Sequence, residues 1–362
     1  MSRFRWGVFG TGAISAKFVS GLKRAQDAEA VLVASRTLDK AQTFAAGAGV
    51  REAVAGYAEA AARGGVDAIY IATPPSEHLA HALLCLNAGI PVLIEKPMAT
   101  TAAEAAQIAD AARTHSVFAM EAMWTRFLPA TRAMRDQIAA GMIGTPRIVS
   151  GSFGISHDPA SSGGMFSAAL GGGALAHLGP YPLSLGQWLF GAPTLVRAIG
   201  TTGSSGVDED VTFQLRYPGD VLGSFIVSTR AWAQDDFQIL GTHGMIGATG
   251  SIVRPHGFRL AQQPPIAVDG AQFGWKARLR QSALVHGVAQ RVGRSSRTAG
   301  RRTAITYAGN GYHYEADEVR ARVEQGERES VIMPLADSIA VADTIDKIRR
   351  DISQVRHPIE GV

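Results

Sequence analysis

Cysteine is nearly missing: Cys85 is the only one among 362 residues. No internal disulfide can form, so the packing of the chain must carry the fold. A single thiol within an apolar helical pattern reads as a small buried hydrophobe and suits a reducing, cytoplasmic compartment. Long apolar runs are missing too. No stretch approaches the roughly 18 residues of a membrane span, and the opening MSRFRWGVFGTG passes straight into a strand-and-turn pattern, with no room for a signal peptide's apolar stretch. The ten histidines show neither HExxH nor clustered ligand spacing, so no metal is indicated. Acidic residues are missing from one segment. Between Lys276 and Arg302 lie eight Lys or Arg and no Asp or Glu, which leaves 27 of the 35 basic residues against 31 acidic ones elsewhere. The formal charge of +4 is therefore local. With no recognition motif beside it, it gives no ground for nucleic-acid binding.

What is present describes a globular chain of 46% hydrophobic and 18% charged residues, long enough for two domains. The first third alternates strand-like runs (RWGVFG, AVLVAS, DAIYIA, PVLIE, VFAM) with Ala-rich helical patterns such as Ile14, Phe18, Leu22 and Ala25. Continuously apolar strands between helices predict a parallel, doubly wound sheet over residues 1–121. From 122 to 362 the character changes. TRFLPATRAMRDQIAAGMIG reads as one helix closed by Gly141 or Gly144, and RIVSGSFGI, DVTFQLRY and VLGSFIVSTRA alternate as strands of an open, mainly antiparallel sheet. YPGD, 217–220, is the turn between the last two of these runs. A closing helix is predicted from about 334 to 351.

GVFGTGAIS ends the first strand and opens a helix. Gly10 and Gly12 let the backbone approach a pyrophosphate, and Ala13 and Ile14 offer free N–H groups at the helix start. The third position of the dinucleotide fingerprint is Ser15, small enough for helix–strand packing but not the usual Gly or Ala. The second strand ends in ASRT, where an NAD site usually carries a carboxylate for the ribose 2′-hydroxyl. Ser35, Arg36 and, a turn later, Lys40 suit a 2′-phosphate instead, so NADP is expected, with NAD left open.

VLIEKPMAT, 92–100, ends an apolar run in Glu95-Lys96-Pro97. As the fifth strand of the sheet, it would deliver Lys96 to the carboxyl edge where ligands bind. A surface Lys-Pro turn is the bland alternative. A second constellation is His177-Leu178-Gly179-Pro180-Tyr181. Positions four apart share a helix face, so both rings can point at one ligand, and the preceding GGGALA lets the backbone come close to the cofactor.

GTGAIS, ATPPSEH, EKPMA, EAMWTRFLP, GGGALAHLGPYPL and GNGYHYEADEV…ESVIMPL occur in this order along almost the whole chain. In them the sequence resembles the glucose–fructose oxidoreductase / inositol dehydrogenase / MocA family. EAMWTRFLP is most similar to its branch of NADP-dependent sugar dehydrogenases and dimeric dihydrodiol dehydrogenases. The resemblance implies a Rossmann domain followed by an α/β domain whose open sheet serves contacts in a homodimer or homotetramer. It implies a catalytic Lys96, an acid/base Tyr181, a cofactor cleft lined by Thr73, Pro74 and His78, and Trp124 beside nicotinamide and substrate. Arg147 and Phe153 are weaker candidates for the substrate side. His177 stands where the family usually has aspartate.

The implied reaction moves a hydride between nicotinamide and a secondary alcohol or hemiacetal carbon of a sugar, polyol or related cyclic alcohol. Lys96 stabilises charge on the oxygen and Tyr181, its pKa drawn down by the ammonium, takes the proton; Glu95 anchors Lys96 or nearby backbone. A redox-cycling hydrolase or lyase with tightly held NAD, and a non-catalytic dinucleotide sensor, are the other readings. The basic segment 276–302 reads as an insertion: an interface helix, a flap, a membrane-surface element or a solvated loop.

Overall fold

A computed structural model of the chain describes residues 3–160, 163–263 and 300–354. Strands apolar along their whole length must be covered on both faces, and the first part of the chain does this. Strands β1 (Phe4–Phe9), β2 (Ala28–Ser35), β3 (Glu52–Ala55), β4 (Ala68–Ile71), β5 (Val92–Glu95) and β6 (Ala119–Ala122) pair in parallel in the order β3-β2-β1-β4-β5-β6. Helices α1 (Ala13–Leu22), α2 (Leu38–Ala48), α3 (Tyr57–Arg63), α4 (His78–Asn87) and α5 (Ala102–His115) make the crossovers. Every residue of β4, β5 and β6 is buried. The Rossmann domain expected from the βαβ rhythm is therefore present, with one strand more than the apolar runs suggested. β3 escaped them because it is a four-residue edge strand with only Val54 buried.

The second sheet follows the other rule, one face in and one face out. It contains β7 (Pro146–Gly154), β8 (Leu195–Thr202), β9 (Asp208–Tyr217), β10 (Val221–Ser228), β11 (Asp236–Gly241), β12 (Gly244–Gly250), β13 (Pro255–Gln262) and β14 (Arg301–Ala304). Their order is β14-β13-β12-β11-β7-β10-β9-β8, antiparallel except for the parallel pair β7–β10. In β9 Val211, Phe213, Leu215 and Tyr217 are buried and the residues between them exposed, as the alternation required. Helices α6 (Pro129–Ala139), α7 (Ala174–His177) and α8 (Pro180–Phe190) lie in this part, followed by α9 (His313–Glu324) and the long α10 (Leu335–Gln354).

The single helix expected over TRFLPATRAMRDQIAAGMIG is not formed. Trp124–Phe127 is a 3₁₀ turn and α6 starts only at Pro129, after Leu128 in extended geometry. Proline disfavours the α region for its predecessor and has no N–H to give, so it starts a helix rather than continuing one. The basic segment lies outside the described residues except for its end, where Arg301 and Arg302 open β14.

The chain after β14 does not stay with the second sheet. α10 packs against α5 of the Rossmann layer as well as against α8 and β8, and α9 packs on α1. One apolar cluster runs from Phe4, Trp6 and Phe18 through Tyr70, Trp124 and Tyr181 to Phe213 and Phe225. The two sheets thus share a continuous core. Among the described residues no helix is long and apolar enough to cross a membrane.

Arg126 ties this junction with a fully buried guanidinium. It donates to Asp337 Oδ2 at 2.5 Å, to Ser184 Oγ and O at 2.8 Å each, and to the Ile332 carbonyl at 3.0 Å. The 3₁₀ turn, α8 and the start of α10 meet on one cation. Breaking such a pair from one side leaves its partners without a donor, and Arg126→Met is expected to cost about 3–5 kcal/mol in urea unfolding. Unfolding at wild-type urea concentration would show that the guanidinium is not needed for this junction.

Candidate active site

The cofactor side is built at the carboxyl ends of β1, β2 and β4. Gly10 has φ +105°, and a Cβ there would stand 2.6 Å from the Ala72 carbonyl oxygen. Only glycine lets the end of β1 pass the end of β4 so closely. Gly12 is the N-cap of α1, and among the described residues no atom lies within 4 Å of where its Cβ would be. This opening lies before the free N–H groups of Ala13 and Ile14, a place where a helix start favours phosphate. Ser15 is fully buried with its hydroxyl unpartnered. At the end of β2 Ser35 is buried, while Arg36 and Lys40 are exposed and carry no salt bridge among the described residues. No carboxylate occupies Ser35-Arg36-Thr37. These residues fit a dinucleotide, with two cations beside the ribose position.

Pro74 is exposed and Thr73 buried, its Oγ1 3.0 Å from His81 Nδ1. His78 is also buried, which removes it from the cleft surface. Its Nδ1 lies 2.9 Å from the Pro97 carbonyl and its Nε2 2.8 Å from the Thr73 carbonyl, so it ties the loop after β4 to the loop after β5 from behind. Burial lowers its pKa to about 4. A neutral ring donates to only one of those two carbonyls.

Lys96 follows β5 on a cis peptide to Pro97. Two buried carboxylates hold this turn by its backbone. Glu95 accepts from Lys96 N through Oε2 at 3.0 Å and from the Tyr70 hydroxyl through Oε1 at 2.5 Å. Glu121, at the end of β6, accepts from Met98 N at 2.9 Å. The Lys96 ammonium bonds neither carboxylate among the described residues and donates to the His177 carbonyl at 2.7 Å. Desolvation lowers its pKa, with Glu95 and Glu121 opposing.

His177 and Tyr181 do reach the same place, but not as neighbours on one helix. α7 ends at His177, and Pro180 starts α8 with Tyr181 in its first turn. The Tyr181 ring centroid lies 5.2 Å from Lys96 Nζ, and Phe153 packs edge-on against that ring at 5.7 Å. Trp124 stacks on Tyr312 at 4.7 Å. The Tyr181 ring thus lies beside the ammonium and packs on Phe153, while Trp124 and Tyr312 form a second, stacked pair. Arg147 does not join them. It is exposed near the start of β7, about 20 Å along the strand from Phe153 at ~3.3 Å per residue.

One electrostatic expectation changes. The Tyr181 hydroxyl is pushed well above its ordinary range, not drawn below it. Desolvation dominates, Glu95 adds to it, and only a hydrogen bond with Trp124 works the other way. His177 falls to about 3 through burial, then Lys96 and His157, and its Nε2 has no partner among the described residues. It is a neutral imidazole at ordinary pH. The three glycines before α7 also serve other ends than closeness to the cofactor alone. A Cβ on Gly171 would meet Thr100, Pro75 and Ser76, one on Gly172 the carbonyls of Gly164 and Met165, and one on Gly173 the Asp208 carboxylate.

Tyr70, Glu121, Asp208 and Tyr312 were not singled out from the sequence. Tyr70 sits in a run that reads as ordinary buried strand. Tyr312 lies in GNGYHYEADEV, whose motif signalled family but not position.

The model of the "Oxidoreductase family, NAD-binding Rossmann fold" (GFO/IDH/MocA) matches residues 4–123, and the GFO/IDH/MocA C-terminal domain matches 131–247. Trans-1,2-dihydrobenzene-1,2-diol dehydrogenase of Bos taurus is 33% identical over 358 residues, covering 96% of each chain, and that of Homo sapiens 31% over 360 residues with the same coverage. In fold, the chain is similar to aldose–aldose oxidoreductase from Caulobacter crescentus complexed with glycerol (TM-score 0.79, 20% identity, 98% of both chains). It is also similar to a 3-ketoreductase from Actinomadura kijaniata in complex with NADP and TDP-benzene (0.78, 22%, 97% and 98%). A levoglucosan dehydrogenase in complex with NADH and L-sorbose superposes with TM-score 0.80 at 20% identity over 98% of both chains. With both of its domains matched and relatives above 30% identity along nearly its whole length, the chain belongs to the GFO/IDH/MocA family of NAD(P)-binding oxidoreductases.

Proposed function

We propose that the protein is an NADP-preferring dehydrogenase/reductase of cyclic secondary alcohols, such as cyclic diols or sugars, with Lys96 and Tyr181 at the reacting oxygen. The observation that carries this reading is the meeting of the two groups from different parts of the chain: Lys96 Nζ bonded to the His177 carbonyl and 5.2 Å from the Tyr181 ring. When bound, the nicotinamide supplies the carbon that gives or takes the hydride. An ammonium has three donors, so with one spent on His177 two remain for a substrate oxygen. They stabilise negative charge on that oxygen as the carbinol becomes a carbonyl or the reverse. Tyr181, kept protonated, gives its proton to the oxygen in reduction and must recover it from the alcohol in oxidation. Trp124, Phe153 and Tyr312 offer ring faces and edges that suit a cyclic substrate. The names of the relatives support the same class.

The oligomer is a second part of this reading. On the outer face of the second sheet Leu195, Ile199, Leu222, Ile226 and Ile148 are exposed. Leu222 stands opposite Ile148, and Ile226 and Ile199 flank Thr212. A second copy of this chain is the occupant we assign. The lone, buried Cys85 supports a cytoplasmic setting.

A panel of sugars, polyols and cyclic diols, read at 340 nm with NADP and NAD in parallel, tests the substrate class; no turnover of any cyclic alcohol would defeat it. Lys96→Ala is expected to bind NADP and lose about 10²–10³ in kcat. Retained turnover would remove Lys96 from the mechanism. Arg36→Ala is expected to raise KM for NADP and leave that for NAD nearly unchanged; equal effects on both would deny it the 2′-phosphate.

The pH dependence separates Tyr181 from His177. With the folded-state pKa of Tyr181 raised, only a small phenolate fraction is available to take a proton at neutral pH. Oxidation kcat/KM should therefore climb by about tenfold per pH unit from ~6 to ~9 without levelling, while reduction stays flat. Tyr181→Phe should abolish the climb, and His177→Asn should keep it. A wild-type profile already flat from pH ~5 would instead fit a base that is neutral throughout, as His177 is.

A further inference from the structure

Lys96 is aimed by a carbonyl in another part of the chain, so whatever fixes that carbonyl relative to the β5 loop helps to fix the ammonium. The two segments have one common partner. On the β5 side, Thr100 follows Lys96-Pro97-Met98-Ala99, and its carbonyl accepts from Arg349 Nη1 at 2.9 Å. The Thr100 N–H and hydroxyl are bound to Glu104 Oε2 at 2.9 and 2.5 Å, so the residue is held from both sides. On the other side, Asp208 Oδ1 accepts from Leu175 N at 2.6 Å, in the first turn of α7. Gly173, before that turn, has φ +116°, and a Cβ there would come within 2.8 Å of Asp208 Oδ2. The carboxylate is thus seated against the helix start itself. Arg349 Nε stands 3.9 Å from Asp208 Oδ2. Three residues earlier on α10, Asp346 Oδ2 accepts from Ala102 N at 2.9 Å, which fastens that helix to the start of α5.

We propose that Arg349 is a positioning residue for the reaction, clamping the Lys96 loop through Thr100 and, through Asp208, the short helix whose last carbonyl holds the Lys96 ammonium. None of its own hydrogen bonds or ion pairs is to Lys96, His177 or Tyr181. It acts only through the two segments. The clamp accounts for the glycine at 173, where a Cβ would meet the Asp208 carboxylate. It also gives the C-terminal helix a part in catalysis that burial alone would not. A guanidinium suits the place because its planar fork sets Nη1 toward the carbonyl and Nε toward the carboxylate on one rigid plane, where an ammonium has a single nitrogen to offer. The clamp rests on the reading of Lys96 as donor to the reacting oxygen.

The surroundings allow a direct test. A pocket of about 470 Å³ adjoins the clamp, lined by Thr100, Gly172, Thr202, Asp208 and Arg349 among others. Removing the arginine side chain leaves its place open to a small cation from solution. Arg349→Ala is expected to keep KM for NADP, whose phosphate cradle at Gly10–Ile14 it does not touch, and to lose about 10–100-fold in kcat, since small misplacements of a reacting group cost that much. Guanidinium chloride at ~10–50 mM, well below denaturing levels, should restore several-fold of the loss, and sodium chloride at equal ionic strength should not. In the Lys96→Ala background the same substitution should cost almost nothing further, because the group being aimed is gone. Wild-type kcat in Arg349→Ala, or a loss that guanidinium does not relieve, or a loss that adds in full to that of Lys96→Ala, overturns the clamp. If Arg349→Ala does not accumulate folded, Arg349→Lys takes its place. It keeps a cation without the fork and should still lose kcat at constant KM for NADP, wild-type kcat again overturning the proposal. An active Lys96→Ala enzyme would instead defeat the catalytic reading beneath it, so the two failures are told apart.

Discussion

An ammonium at the seam of two sheets loses hydration that something must replace, and this requirement organises the site. Lys96 is only partly buried, but its Nζ is committed to the His177 carbonyl and its nearest carboxylates are turned elsewhere. Glu95 and Glu121 grip the backbone N–H groups of Lys96 and Met98 instead of the ammonium. A carboxylate that bonded Nζ directly would quench it as a donor. Placed one bond away, the same charges still oppose the desolvation of Lys96 while its remaining donors stay free. The turn is rigid because its backbone is saturated. The side chain is aimed because a second element supplies the acceptor.

That second element has to be positioned as closely as the first, and several features that look unrelated serve this end. Pro180 splits the segment 174–190 into two helices, so the α7 carbonyl terminus is free to accept from Lys96 where an uninterrupted helix would have spent it on an N–H four residues later. Arg126 gathers α8 and the start of α10 onto the turn that carries Trp124. The aromatic side chains then pack in two pairs, Tyr181 of α8 against Phe153 of β7 and Trp124 of the 3₁₀ turn against Tyr312. The continuous apolar core makes the relative placement of the sheets part of the packing and not a hinge between separate cores.

The same burial that builds the site sets its acid–base character. Tyr181 and His177 are both driven toward their neutral forms, a phenol that holds its proton and an imidazole that does not take one. A neutral hydroxyl next to an ammonium is the arrangement suited to protonating an oxygen that gains charge. Glu315, fully buried with both oxygens unpartnered, is pushed upward for the same reason.

The sequence by itself determined the doubly wound sheet, because period-free apolar strands between helices have no other way to bury both faces. It determined the one-sided character of β9 through strict alternation, the phosphate turn through two glycines between strand and helix, and Lys96 as the residue to watch through a charge where packing alone would place none. EAMWTRFLP and GNGYHYEADEV identified the family. They did not reveal that Trp124 and Tyr312 stack, since their separation along the chain carries no distance. Tertiary structure alone decided the rest. The spacing of His177 and Tyr181 suggested one helix face, but Pro180 broke the helix and convergence came from packing. The direction of the Tyr181 shift depended on how much water the fold removes, a quantity that no local stretch encodes. Arg147, Arg349 and Asp208 look alike in sequence as ordinary charged residues. Strand rise alone puts the first far from Phe153, but only the path of the chain brings the other two together, because long-range contacts are set by how whole elements stack and not by the residues' own neighbours.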